Sequence, residues 1–150
     1  MKFKKVLVTT DFSTNSLRAL RYLKKDAATT IILFTVVDDW TKSNLYAPQT
    51  IHRELYKDAK SKMQERAEAD LEKLAKKYFG KRKVVCEAVV SSKEPADEIV
   101  KYAAKAKVDA IVMATHGRGK LGSVFLGSNA QKVMHKVRIP LVLIPRSMPV

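Results

Sequence analysis

The sequence is poor in residues that form covalent or metal crosslinks. Among 150 residues it has one cysteine, Cys86, and three histidines, His52, His116 and His135. A single cysteine excludes an internal disulfide and a cysteine-based metal cluster. The histidines lack the spacing and the neighbouring carboxylates of a metal site, so we predict none. Cys86 lies in the apolar run 84–86, which predicts a small buried hydrophobic side chain.

Long hydrophobic runs are also absent. A membrane-spanning helix needs about 20 apolar residues, and no segment of the chain approaches that length. The basic start, residues 1–5, is followed by three apolar residues before polar ones, so it lacks the hydrophobic region of a signal peptide. These observations predict a cytoplasmic protein without membrane insertion.

Acidic residues are missing from the C-terminal part of the chain. The sequence has 29 Lys and Arg against 15 Asp and Glu, a formal net charge of +14, and no acidic residue follows Asp109. Such a field of one sign attracts an anionic partner: nucleotide phosphates, nucleic acid, a lipid surface or an acidic protein. The basic residues of this stretch are Arg118, Lys120, Lys132, Lys136, Arg138 and Arg146.

What the chain does have is an alternation of strand and helix patterns. Short β-rich or apolar runs predict five strands, at 4–10, 29–37, 83–90, 110–115 and 140–145. Between them, apolar residues recur every three or four positions, which predicts four helices. Their predicted boundaries are Ser13 as an N-cap, Ile51 to Tyr78 with a stop at Gly80, Pro95 at a first helical position, and Ser128 with Gln131 as a capping box.

The resulting βαβαβαβαβ order predicts one α/β domain over residues 1–150, a Rossmann-like (flavodoxin-like) parallel sheet with helices on both faces. Ligands of such sheets bind beyond the carboxyl ends of the strands. The candidate positions are therefore Thr10 and Asp11 after the first strand, Val36 at the end of the second, and residues 115–120 after the fourth. The long connection 38–50 could fold over a ligand or pack as a surface loop.

The stretch from Gly117 to Ser128 has the features of an anion-binding loop. Glycines such as Gly119 and Gly127 let backbone N–H groups approach phosphate oxygens. The helix that opens near Ser128 presents N–H groups and the positive end of its dipole. Arg118 adds charge nearby. We therefore expect phosphate groups to bind here.

Two generic phosphate motifs do not account for this loop. Residues 117–122 spell G-x-G-x-x-G, but the dinucleotide fingerprint needs an acidic residue about 20 positions later, and none follows. A P-loop needs a lysine directly before the serine, where Gly122 precedes Ser123. A phosphoreceiver and a flavodoxin are weak alternatives, because Asp11 stands alone and the first loop has no glycine.

The residues of this loop resemble a motif of the universal stress proteins. The ATP-binding members of that family share G-x-x-G, nine residues, then G-[S/T]. Here Ala114 to Gly117 is followed by nine residues and then by Gly127 and Ser128. The opening run 6–13 and the ending 138–145 also look like the first and last strands of that family. The resemblance covers essentially the whole chain.

The resemblance implies an ATP-binding homodimer with strand order 3-2-1-4-5. The adenosine would contact the first two strands. The ribose and phosphates would contact the turn after strand four, and the phosphates would also contact the start of the last helix. Two subunits would pair through the last strand, Leu141–Ile144, whose apolar edge needs covering. The implied contact residues are Thr10, Asp11, Val36, Met113, Ala114, His116, Gly117, Arg118, Gly119, Gly127, Ser128 and Asn129.

Two residues depart from the family pattern. Ala114 replaces its first glycine, which requires a negative backbone φ at that position. Asn129 replaces a small or apolar residue; it could donate to a phosphate or favour the helix start. Neither departure removes the phosphate-binding turn.

Three functions remain open from the sequence. The first is an ATP-binding regulatory protein of the stress response, with an unknown protein partner, which could take ADP or AMP as well and Mg²⁺ with the nucleotide. The second is a weak ATPase or nucleotidyl-transfer enzyme; no nucleophile–base pair is evident, so hydrolysis is expected to be slow or partner-dependent. The third is a nucleic-acid or anionic-surface binder, suggested by the basic run 76–83.

Overall fold

Five parallel strands form the sheet expected from the sequence. The computed structural model describes residues 3–24, 30–43, 52–117 and 126–146. The strand order is β3-β2-β1-β4-β5, with every neighbouring pair parallel, so the predicted order is confirmed. The strands are β1 (Lys5–Thr9), β2 (Thr30–Asp38), β3 (Val84–Ser91), β4 (Ala110–Ala114) and β5 (Leu141–Ile144).

Four α-helices connect the strands and cover both faces of the sheet. They are α1 (Ser16–Lys24), α2 (His52–Phe79), α3 (Pro95–Ala106) and α4 (Ser128–Lys136). A short 3₁₀ helix, Trp40–Ser43, follows β2 in the connection that the sequence left irregular. The remainder of that connection, residues 44–50, lies outside the described residues.

The core has two layers because strand side chains alternate between the two faces. In β1, Val6 and Val8 are buried under α1 and α2, while Leu7 is buried under α3 and α4. In the neighbouring β4, Val112 is buried in the same layer as Val6 and Val8, and Ile111 is buried in the same layer as Leu7. Central strands covered on both faces explain the near-continuous apolar runs of the sequence.

Three of the predicted helix boundaries are confirmed by backbone geometry. The Ser13 hydroxyl accepts a bond from the N–H of Ser16 at 3.2 Å, and the Ser13 carbonyl accepts the N–H of Leu17 at 3.1 Å, as in an N-cap. Residues 14–15 form a turn between Ser13 and the first regular residue of α1. Pro95 is the first residue of α3. Gly80 follows α2 with φ +59°, the left-handed conformation that ends many helices.

The capping box predicted at the start of α4 is wrong. The N-cap is Gly127, and among the described residues no side chain caps the helix. Ser128 is instead the first helical residue, and its side chain is exposed. The carbonyl of Gly127 accepts the N–H of Gln131 at 2.9 Å, which places the first helical hydrogen bond one residue earlier than the sequence pattern indicates. The helix therefore begins with uncapped N–H groups.

Candidate functional site

A cavity of about 330 Å³ opens at the carboxyl ends of the strands. It lies between β1 and β4, where the strand order reverses, as expected for a doubly wound sheet. Its size is within the range of small-molecule pockets. The described lining residues are Thr9, Thr10, Asp11, Ser16, Phe34, Val36, Pro95, Ile99, Met113, Ala114, Thr115, His116, Gly117, Gly127, Ser128, Asn129 and Ala130.

Local hydrogen bonds hold the turn between β1 and α1. The carboxylate of Asp11 accepts the N–H of Ser13 through Oδ1 at 3.0 Å. The Thr10 hydroxyl accepts the N–H of Phe12 at 3.0 Å and pairs with the buried Ser16 hydroxyl at 2.9 Å. Phe12 has φ 63°, a conformation that a bulky residue adopts only when its surroundings require it. The turn thus holds the Asp11 carboxylate beside the cavity.

This turn contacts the loop after β4. The Asn15 side chain donates from Nδ2 to the carbonyl of Gly117 at 3.2 Å, across 102 positions of sequence. Asp11 also lies against Gly117, because a Cβ atom built on the glycine would be 2.7 Å from Asp11 Oδ2. Two side chains of one loop therefore set the position of Gly117 in the other.

The start of α4 packs directly on the end of β4. The N–H of Gly127 donates to the Thr115 carbonyl at 2.7 Å. A Cβ atom on Gly127 would lie 2.8 Å from that carbonyl oxygen and 3.2 Å from the Cα of His116. Gly127 is needed for this close approach, which brings the N-terminus of α4 to the cavity wall.

The N-terminal end of α4 supplies the electropositive part of the cavity. Ser128, Asn129 and Ala130 line it, and the first turn of the helix contains no acidic residue. The first N–H groups of a helix have no partner within the helix, and its dipole is positive at that end. This wall can therefore bind an anionic group through backbone donors.

Part of the cavity wall is apolar. Phe34 is fully buried and stacks on Tyr102, with ring centroids 4.6 Å apart. Val36 follows it on the same face of β2, and Ile99 of α3 and Met113 of β4 complete the wall. A flat apolar ring system fits such a surface better than a charged group does.

Ten of the twelve predicted contact residues line this one cavity. The other two, Arg118 and Gly119, lie outside the described residues. Ala114 ends β4, and it is not among the described residues with positive φ, so the methyl group is accommodated as the sequence required. The structure thus brings together residues that the sequence separates by more than 100 positions.

Sequence reasoning missed several residues of the site. Phe34 could have been found, because it lies two positions before Val36 on the same face of β2. Pro95 and Ile99 could have been found once α3 was placed over that face. Asn15 left no signal, because no local pattern reports its contact with Gly117.

Other basic side chains of the described residues lie away from the cavity or are paired with acidic side chains. The basic run 76–83 lies at the end of α2 and before β3, so it is at the opposite end of the sheet from the cavity. Lys132 of α4 pairs with Glu94, the N-cap of α3, and Lys136 pairs with Asp97 in the first turn of α3. These exposed pairs contribute little stability, but they reduce the positive field on that face.

The described residues contain neither a candidate metal cluster nor a candidate membrane-spanning helix. No group of three or more His, Cys, Asp or Glu side chains in these segments is placed to hold a metal ion. No helix in the same segments is both long and apolar enough to cross a membrane.

Comparison with known proteins identifies the family. The model of the universal stress protein family matches residues 2–145. The chain belongs to the universal stress protein family. Among curated universal stress proteins, it is 31% identical over 143 residues to one from Thermus aquaticus, covering 95% of this chain and 98% of that protein. It is 29% identical over 156 residues to MJ0577 of Methanocaldococcus jannaschii, covering 96% of each.

Solved structures of universal stress proteins share the fold. The structure of MJ0577 matches with a TM-score of 0.75 at 30% identity, over 99% of this chain and 100% of that one. Two more distant structures, each 22% identical, match with TM-scores of 0.61 and 0.53. The first covers 98% of this chain and 100% of the other; the second, from Archaeoglobus fulgidus, covers 96% and 99%. The Rossmann-like fold of the family is therefore the fold of this chain.

Proposed function

We propose that this universal stress protein binds ATP in the cavity between β1 and β4. The observation that carries the proposal is the pairing of two walls: an apolar wall around Phe34 and Val36, and the uncapped N-terminus of α4 at Ser128. A nucleotide has the matching halves, an apolar base and an anionic phosphate chain.

Nucleotides occupy other members of the family. One of the distant solved structures is a complex with cAMP, and the other is a complex with dAMP. Both ligands contain an adenine base, a sugar and a phosphate. This supports a nucleotide in the present cavity, and the net charge of +14 favours ATP, which has the longest phosphate chain and could carry Mg²⁺ with it. ADP and AMP would bind with fewer phosphate contacts.

Binding without rapid turnover fits the cavity best. Its described titratable residues are Asp11 and His116. His116 Nδ1 is paired with the Thr115 hydroxyl at 2.9 Å, so a carboxylate does not orient the imidazole at that nitrogen as in a catalytic triad. We propose a nucleotide-dependent regulatory role in a cytoplasmic stress response, in which bound ATP changes the contacts made with a protein partner. Any hydrolysis would be slow or dependent on that partner.

We also propose that two copies pair through β5. This strand is at the edge of the sheet, and the side chains of Leu141, Val142 and Leu143 are only partly buried. An apolar edge with unpaired backbone groups favours pairing with a second strand. A two-fold axis at this edge would extend two five-stranded sheets into one.

Calorimetric titration with ATP, ADP and AMP tests the nucleotide site. We expect saturable ATP binding with a Kd below about 1 mM, and a marked loss of affinity in Asp11→Ala. Asp58→Ala is the matched control, because that carboxylate is exposed on α2 and pairs with Lys62. No ATP binding by the unmodified protein, or equal loss in both variants, would overturn the proposal.

A further inference from the structure

A second cavity, of about 480 Å³, opens at the end of the sheet opposite the first one. Lys5 and Thr30, which line it, are the first residues of β1 and β2, and Ala106, also in its wall, is the last residue of α3. Among the described residues, none lines both cavities. The size is within the range of small-molecule pockets, so this end of the sheet has room for a ligand of its own.

The floor of the second cavity is apolar and open to solvent. Ile32 of β2 and Val85 of β3 are partners in the strand register, and both line it. Because β3 is at the edge of the sheet, Val85 stays 37% exposed. The ring of Tyr102 lines the cavity too, and its stacking on Phe34 holds it in place. A flat apolar group placed on this floor would remove exposed apolar surface from water.

A basic row, which consists of Lys5, Thr30 and Lys83, crosses the end of this floor. The register pairs Lys5 with Thr30, and its continuation by one residue pairs Thr30 with Lys83. All three residues line the cavity. Neighbouring strands lie about 4.8 Å apart, so the backbones of the two lysines are separated by about 10 Å. Their long side chains can therefore reach one anionic group placed between them.

The end of α3 fixes one ammonium group of the basic row. Lys5 Nζ donates to the carbonyl of Ala106 at 2.6 Å, and an ammonium group has two further donors. Lys105 adds positive charge, because it follows Tyr102 by three residues and therefore lies on the same side of α3. The described salt bridges include none of Lys5, Lys83 and Lys105. The positive end of the cavity is thus left to a ligand.

Two carboxylates beside the second cavity are already engaged by the protein. Asp109 accepts the N–H groups of Lys4 and Lys5 through Oδ2, at 2.8 Å each. Glu87 is hydrogen-bonded to the Tyr102 hydroxyl. Burial and the Glu87 carboxylate raise the pKa of Tyr102, so the hydroxyl keeps the proton that it donates. The negative charge at this end is therefore held by protein donors, whereas the ammonium groups of the basic row remain available.

We propose that the second cavity binds a small organic anion with a flat aromatic ring, of the class of the aromatic carboxylates. The ring would lie on Ile32 and Val85 beside Tyr102. The anionic group would accept charge-assisted hydrogen bonds from the basic row. This site is separate from the proposed nucleotide site and does not depend on it.

Two probes that differ mainly in charge test the proposal on the unmodified protein. They are 2-naphthoate and the uncharged naphthalen-2-ylmethanol, both followed by calorimetry and by ¹H–¹⁵N spectra. We expect 2-naphthoate to bind with a Kd below about 1 mM, about tenfold more tightly than the alcohol. Its largest amide shifts should fall in 30–32, 83–85 and 102–106. Equal binding of the two probes, no binding of 2-naphthoate, or shifts confined to 113–117 and 127–130 would overturn the proposal.

Three lysine variants with the same change of net charge locate the anionic group. Lys5→Met and Lys83→Met keep the apolar part of the side chain and remove the ammonium group. Lys60→Met is the matched control, because Lys60 is exposed on α2, which packs on the other face of the sheet. We expect the first two variants to bind 2-naphthoate about tenfold more weakly and the control to keep its affinity. The alcohol should bind all four proteins alike.

Two results with these variants contradict the site. An equal loss of 2-naphthoate affinity in Lys60→Met would show a general effect of net charge. Unchanged affinity in both Lys5→Met and Lys83→Met would show that the basic row does not contact the anion.

Discussion

Gly117 and Asp11 lie so close together that a methyl group on residue 117 would collide with the Asp11 carboxylate. A Cβ atom on Gly117 would lie 2.7 Å from Asp11 Oδ2 and 3.7 Å from Asp11 Cγ. Gly117 is not among the residues with positive φ, so the need for glycine here is steric and not conformational. Glycine at position 117 therefore leaves room for the Asp11 carboxylate, which belongs to the loop after β1.

This relationship predicts that Gly117→Ala weakens nucleotide binding by moving Asp11. We expect a loss of about tenfold in ATP affinity and about 1 kcal/mol in stability, because the short Asp11 side chain must shift. The double variant with Asp11→Ala supplies the control. If the glycine acts through the carboxylate, adding Gly117→Ala to Asp11→Ala should change little. Additive losses of affinity in calorimetry would show that the two residues act independently.

Gly127→Ala is expected to damage both the fold and the cavity. Its Cβ atom would meet the Thr115 carbonyl oxygen at 2.8 Å, and backbone atoms have little room to move. We expect about 1–3 kcal/mol of destabilisation in urea unfolding, together with weaker ATP binding. Gly80→Ala is the control: no atom lies within 4 Å of its Cβ position, and its φ of +59° accounts for a cost of about 1 kcal/mol. That control should keep its ATP affinity, since Gly80 is far from the cavity.

Lys107→Gly is expected to stabilise the protein. Lys107 ends α3 in the left-handed conformation, with φ 50° and ψ 53°, and its side chain is exposed. Glycine adopts this conformation without strain, so the free energy of unfolding should rise by about 0.5–1 kcal/mol. Lys105→Gly, within the same helix and also exposed, should lower it by up to about 1 kcal/mol. If thermal melts show Lys105→Gly to be more stable than Lys107→Gly, this account of the helix end is refuted.

Cys86 is expected to react slowly with thiol reagents. Burial, with smaller contributions from Glu72 and Glu68, raises the pKa of the thiol from 9.0 to about 11. At pH 8 only roughly one thiol in a thousand is then ionised, and the thiolate is the reactive form. Labelling should accelerate about a hundredfold in urea. Because the folded pKa is raised, the contribution to stability is full below pH 9 and is lost as the pH rises towards 11. Cys86 is only partly buried, less than its apolar run predicts, and rapid labelling of the folded protein would contradict even this partial burial.

The sequence was sufficient for the elements and their order because periodic burial leaves a periodic pattern. The alternation of Val6, Leu7 and Val8 between two core layers is one example. The helix ends at Ser13, Pro95 and Gly80 were equally predictable, since each depends on local chemistry. The start of α4 was not predictable in this way. Serine is a preferred N-cap residue, but Ser128 is the first residue of the helix.

What the sequence could not supply are contacts between distant segments. Gly127 is the N-cap of α4 because it packs on the Thr115 carbonyl, a contact that no local pattern records. The bond from Asn15 to Gly117 has the same origin. Ten of the residues that line the cavity could be named from the sequence and its family resemblance, whereas the reasons for their positions required the fold.

The edge of β5 gives a direct test of the proposed dimer. Pro140 and Ile144 accept bonds from β4, so the alternate residues Leu141 and Leu143 direct their N–H and C=O groups to the open side of the strand. Leu143→Pro removes one outward donor, and Leu143→Ala removes nearly the same side chain while keeping it. If two β5 strands pair through their backbones, sedimentation should show a larger loss of dimer in the proline variant than in the alanine variant. If dimerisation depends on side chains alone, the two variants should dissociate equally, and a monomeric unmodified protein would exclude the interface altogether.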